Sequence, residues 1–155
     1  MITGRCYCGA VRVEVAAPPL TVAYCHCTDC RRWTGAPVAA FAAFDASAVQ
    51  ILPDPGPVTV VPGVDRWFCR ICGSPLAARF DYLPGQIYVP LGILDQAAEI
   101  QPQMHAHADA QLPWLHLADG LPREAASARG ALNASEQNPD AAPANPSAPD
   151  PSGAK

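Results

Sequence analysis

Seven cysteines, every one in a tight group, constrain this chain more than any other feature. Cys6-Tyr7-Cys8-Gly9 is a CxC near the N-terminus. Cys25-His26-Cys27-Thr28-Asp29-Cys30 is a CxCxxC, and Cys69-Arg70-Ile71-Cys72-Gly73 is a CxxC. Cysteines acting as small core hydrophobes have no reason to cluster. Clustered thiols in a reducing compartment point to metal binding or catalysis rather than to disulfides, and an odd count fits a complete disulfide framework poorly. A dithiol redox pair at Cys69 and Cys72 lacks the βαβ surroundings of thioredoxin-like motifs. Zinc, which takes four ligands in a tetrahedron and is chelated by closely spaced thiolates, accounts for the pattern best.

The groups divide naturally. A CxxC followed by glycine is half of a zinc knuckle, and CxC-Gly offers a second bidentate half. Joining Cys6, Cys8, Cys69 and Cys72 closes one four-thiolate site and staples the N-terminus to a later hairpin. A structural site of this kind supplies ~10–16 kcal/mol of folding free energy. Cys25, Cys27 and Cys30 remain, and three thiolates leave the fourth position free for water or substrate, as in catalytic zinc sites. The alternative is that all seven ligands are structural, with His26 or a distant histidine as the eighth. His26 sits between two ligands, so its side chain is expected to point away from the metal.

The rest of the chain suits a small β domain. Its 155 residues include 18 prolines and 11 glycines, which favour turns and short strands over long helices. Large apolar residues are sparse, and a modest core profits from metal staples. Turn spacing and alternation, with a small-residue apolar run over Val38–Phe44, predict strands over Ala10–Val15, Val38–Phe44, Val58–Val61, Asp65–Phe68, Leu76–Phe80 and Gln86–Val89, with Pro55-Gly56, Pro62-Gly63 and Pro84-Gly85 as turns. Thr28–Thr34 and Asp95–Ile100 read as short helical turns. The expected fold is mainly β and antiparallel. Residues 1–123 form the domain, and 124–155, Ala-rich and then Pro/Asn/Asp/Ser-rich, read as a disordered tail.

The formal charge of −4 argues against nucleic acid as a partner. No stretch has the ~20 apolar residues of a membrane helix, and the N-terminus lacks a signal-peptide core. A cytoplasmic location is the expectation.

The cysteine motifs, with their neighbours, resemble the glutathione-dependent formaldehyde-activating enzyme family, also called the GFA or CENP-V/GFA domain. The carriers are Gly4-Arg5-Cys6-Tyr7-Cys8-Gly9-Ala10-Val11, Tyr24-Cys25-His26-Cys27-Thr28-Asp29-Cys30-Arg31-Arg32 and Trp67-Phe68-Cys69-Arg70-Ile71-Cys72-Gly73-Ser74-Pro75. Pro102, His105, Pro113-Trp114 and Asp119-Gly120-Leu121-Pro122 are a weaker part of the likeness. The resemblance implies a zinc-containing β-tent, structural zinc on Cys6, Cys8, Cys69 and Cys72, and catalytic zinc on Cys25, Cys27 and Cys30. It further implies glutathione as the small-molecule ligand and carbon–sulfur lyase chemistry, such as S-hydroxymethylglutathione formation from formaldehyde and glutathione. A non-catalytic zinc-binding or thiol-sensing module is the alternative.

Beside the clusters, Arg31, Arg32 and Arg70 are candidates to stabilise a negatively charged thiolate site or to grip glutathione carboxylates; otherwise they are solvated surface residues. His105 is a proton donor or, on the favoured reading, a structural hydrogen-bond anchor. His107 and His116 read as surface or strand-face residues. Trp33, Trp67 and Trp114 belong to core or rim, and Ser74 to a turn.

Overall fold

The computed structural model describes residues 1–134. Among the described residues, ten strands form two sheets. In the smaller, β1 (Ile2–Arg5), β2 (Arg12–Val15) and β5 (Val49–Leu52) lie in the order β1-β2-β5. The larger comprises β3 (Thr21–Cys25), β4 (Ala39–Asp45), β6 (Val58–Val61), β7 (Val64–Phe68), β8 (Pro75–Phe80), β9 (Gln86–Pro90) and β10 (Met104–Ala106), in the order β10-β3-β4-β9-β8-β7-β6. Helices are short: α1 (Thr28–Thr34), α2 (Arg129–Ala134) and three single 3-10 turns. No helix among the described residues is long and apolar enough to cross a membrane.

The large sheet is covered on both faces, and β4 shows how its sequence permits this. In Ala39-Ala40-Phe41-Ala42-Ala43-Phe44, successive side chains alternate between faces, and small residues on both let other elements approach. Ala42 and Phe44 join Val13, Val15, Trp67, Leu76 and Val89 in the core between the sheets. Ala39, Phe41 and Ala43 join Tyr88, Leu83 and Ala78 in a second cluster on the opposite face. Polar Arg12 and Glu14 alternate with Val13 and Val15 along β2, as a one-sided strand requires.

The expected mainly β architecture is present, with two departures. β10 pairs with β3 in parallel, bringing His105 opposite Tyr24 and Ala106 opposite Cys25. The chain leaves β9 through turns over residues 91–103 and re-enters beside β3 in the same direction, as parallel pairing through a long connection allows. Asp95–Ile100 forms hydrogen-bonded turns rather than a helix, while the nearby 3-10 turn is Leu91–Ile93.

The expected boundary after Arg123 falls short of the packing. His107, Ala108 and Asp109 donate backbone hydrogen bonds to Ala126, Glu124 and Ala125, respectively. Ala128 is buried in the second cluster, and the Arg129 guanidinium lies 4.3 Å over the Tyr82 ring. Alanines need no large cavity to dock, so a segment poor in bulky residues still packs. The remainder of the expected tail, 135–155, lies outside the described residues.

Gly4 marks the tightest approach between strand and turn: a Cβ there would stand 2.5 Å from the Ile93 carbonyl oxygen. Gly4→Ala is expected to destabilise the protein by about 1–3 kcal/mol through overpacking, read as a lower urea midpoint at unchanged m-value.

Candidate metal centres and cavity

The four sulfurs of Cys6, Cys8, Cys69 and Cys72 lie within 4.8 Å of one another. The Cys6–Cys8 and Cys8–Cys69 sulfur separations are 3.5 and 3.8 Å. Zinc–sulfur bonds of ~2.3 Å imply tetrahedron edges of ~3.8 Å, so the cluster fits zinc. The folding that produces it is local. Gly9 (φ 77°) and Gly73 (φ 75°) take left-handed backbone that other residues adopt at a penalty. These turns return the Val11 amide to the Cys6 sulfur at 3.3 Å and the Gly73 amide to the Cys69 carbonyl. Ser74 ties the halves together: its hydroxyl accepts from the Tyr7 amide at 3.0 Å and lies 3.3 Å from the Cys72 sulfur. Its hydroxyl, and then its backbone amide, hold the Cys72 thiol down to about 5. Cys6 and Cys69 are themselves part of the core between the sheets.

Cys25, Cys27 and Cys30 form a second group, their sulfurs also within 4.8 Å of one another. Cys25 ends β3, Cys27 is the N-cap of α1, and Cys30 lies in its first turn. The Cys27 sulfur accepts from the Cys30 amide at 3.3 Å. Hydrogen bonds from the Cys25 and Cys30 thiols drive Cys27 down to about 2. Cys25, donating to it, is pushed up to about 11, and Cys30 is raised as well. The three crowded sulfurs favour the thiolate at Cys27 over Cys25 and Cys30, and together they are a donor set suited to a soft cation. The three sulfurs could serve as three ligands of a zinc ion.

This group belongs to the second cluster and opens on a cavity of about 110 Å³. Phe41, Val64, Phe80, Leu83 and Tyr88 make much of the wall, with Arg66, Tyr82 and His107 as polar members. Burial, and then the electrostatic influence of the nearby Cys30 and Cys27 sulfurs, raise the Tyr82 hydroxyl, which favours its protonated form. His107 adopts φ 53°, the one non-glycine positive φ among the described residues. It lines the cavity, where the sequence suggested a surface or strand-face position.

His26 points away from the sulfurs, as expected. Its Nε2 lies 2.8 Å from His105 Nδ1, and His105 Nε2 lies 2.9 Å from Asp119 Oδ2. Both rings are fully buried and lie nearly in one plane, 5.1 Å apart between centroids. Asp119 remains below the usual carboxylate range. Its burial acts upward, but the Leu121 amide, His105 and Arg123 outweigh it. The chain ties β3, beside the cysteines, to β10 and the Asp119 loop. His105 is not among the residues lining the cavity, which favours the anchoring role.

The three arginines singled out in the sequence lie elsewhere. Arg31 and Arg32 border a surface groove with Leu112 and Trp114. Arg70 stacks over Phe68 at 4.4 Å and donates to the Pro55 and Gly56 carbonyls. None of them lines the cavity; Arg66 does. The available signal was strand phase: Arg66 shares a face of β7 with Val64, opposite buried Trp67. An arginine on that face of a sheet covered on both sides needs a purpose.

A family profile described as glutathione-dependent formaldehyde-activating enzyme matches residues 1–110. No curated protein matches. Among solved structures, a crystal structure of a Rhodobacter sphaeroides protein aligns at TM-score 0.50 and 23% identity, covering 79% of this chain and 99% of that one. At that identity the likeness concerns the fold alone. The profile spans all three cysteine motifs and both sheets, and by that match the chain belongs to the glutathione-dependent formaldehyde-activating enzyme family.

Proposed function

We propose that the protein is a zinc-dependent carbon–sulfur lyase of the cytoplasm that joins the glutathione thiol to formaldehyde or a related aldehyde, or cleaves such an adduct. The observation that carries this reading is the difference between the two sulfur clusters. One has four cysteines, of which Cys6 and Cys69 belong to the core; the other has three and opens on a cavity.

Cys25, Cys27 and Cys30 would hold the catalytic zinc, and Cys6, Cys8, Cys69 and Cys72 the structural one. Zinc held by Cys25, Cys27 and Cys30 would lower the pKa of a substrate thiol. The protein supplies the rest. The apolar wall of Phe41, Val64, Phe80 and Leu83 limits water around the reacting atoms. The thiolate sulfur attacks the carbonyl carbon, a carbon–sulfur bond forms, and the carbonyl π pair moves to oxygen. That alkoxide takes up one proton, matching the one lost by the thiol. His107 and Tyr82, both on the cavity wall, are the side chains suited to carry it.

NMR exchange spectroscopy on formaldehyde and glutathione provides the test. Zinc-loaded protein is expected to raise the exchange rate at least ~100-fold over an equal concentration of Cys27→Ser protein, the scale of general acid–base assistance. An unchanged spontaneous rate would sink the formaldehyde reaction. A protein with one zinc per chain that glutathione leaves unperturbed would favour the non-catalytic or thiol-sensing module.

A further inference from the structure

We infer that Arg66 is the carboxylate anchor of the cavity, so that the thiol it accepts must carry a carboxylate; this rests on the proposed thiol site. Four observations converge. Arg66 lines the cavity that holds Cys25, Cys27 and Cys30. Its Nη1 is buried without a hydrogen-bond partner. Among the described residues no carboxylate pairs with it: neighbouring Asp65 is bound to Arg79 at 2.6 Å, and Asp29, also on the wall, is exposed and makes no ion pair. Finally, the guanidinium lies 4.5 Å over the Trp33 ring, which itself stacks on Phe41 at 5.8 Å.

The stack holds the guanidinium by its face and leaves its hydrogen-bonding edge for another group. A planar fork with fixed orientation matches a carboxylate in a two-point contact, which a lysine ammonium does not reproduce. Apolar walls strengthen that contact by excluding water. An arginine held this way has its orientation settled before the ligand arrives, so less freedom is lost on binding.

A rival role is to offset the negative charge of the sulfurs. The two roles separate when the ligand changes and the thiol does not. If Arg66 only offsets charge, it acts on every thiol alike. As an anchor, it acts on thiols that carry a carboxylate.

The experiment is isothermal titration of the zinc-loaded full chain with 3-mercaptopropionate and with 3-mercaptopropionamide, its uncharged counterpart. The acid is expected to bind at least about 10-fold more tightly than the amide, as a charge-assisted contact requires. Arg66→Gln is expected to bring that ratio close to one while moving amide binding by less than about 3-fold. Arg66→Lys is expected to retain part of the preference. Equal binding of acid and amide to the unaltered protein overturns the anchor with no variant needed, so a misfolding Arg66→Gln protein leaves the test intact. Equal weakening of both ligands in either variant assigns Arg66 to charge offset and also overturns it. If neither thiol binds the unaltered protein, the thiol site itself falls, and the anchor with it.

Discussion

Cys69→Ser protein is expected to be unfolded at ambient temperature, whereas Cys27→Ser protein is expected to melt within a few degrees of the unaltered chain. The contrast follows from where the two sulfurs sit. Cys69 is 1% exposed and packs in the core between the sheets. Its cluster joins the first strand to the β7–β8 hairpin across more than sixty residues of sequence. A structural zinc supplies ~10–16 kcal/mol, as much as the whole net stability of a typical domain, ~5–15 kcal/mol. A hydroxyl in place of one thiolate removes most of that contribution. Cys27, by contrast, is half-buried and caps a seven-residue helix. Serine is among the best N-cap residues, so its oxygen can accept from the Cys30 amide as the sulfur does. The fold keeps its cap while the three-cysteine site loses a donor. Circular dichroism melts of the two variants, with zinc content by elemental analysis, make the comparison. Equal melting temperatures would dismantle the assignment of one cluster to stability and the other to chemistry.

His105→Ala carries the second large effect, an expected destabilisation of about 3–5 kcal/mol, the scale for breaking a buried charged or hydrogen-bonded pair. The ring is fully buried and meets partners on both nitrogens, His26 at 2.8 Å and Asp119 at 2.9 Å. It also stacks on Tyr24 at 4.9 Å. Its removal leaves His26 Nε2 buried without a partner, beside an Nδ1 that already has none among the described residues. Because His26 lies between Cys25 and Cys27, the loss should reach the metal donors. Urea denaturation measures the stability, and zinc retention under a competing chelator measures the site. A proton donor would behave differently, with normal stability and zinc retention and a reduced rate alone. That result would overturn the anchoring role.

What could be read from the sequence was what is local in the sequence. Ligand spacings of one and two residues place sulfurs together whatever the surroundings, so the three motifs were visible, and the four ligands zinc takes joined the outer two. The strands β2, β4 and β6 to β9 were visible because alternation and Pro-Gly turns mark them out, and α1 because it follows its capping cysteine. The strands β1, β3, β5 and β10 are defined by their pairing with β2, β4 or β3 rather than by a pattern of their own. The cavity was harder still. Arg66 and His107 reach the same space only because β7 and the segment after β10 come to one face of the large sheet, and pairing order is not written in either segment. Ala128 is the extreme case, a small residue in a low-complexity stretch whose burial depends wholly on what it meets.

The large sheet has one sulfur cluster packed into the core on one side and the other in the cluster opposite. It therefore works as a bulkhead, and damage on one side need not flood the other. Cys8 is exposed while Cys25, Cys27 and Cys30 are half-buried or buried, so an oxidant in solvent would meet the four-cysteine side first. Damage there would cost the fold, whereas loss of a cavity-side sulfur would leave a folded chain.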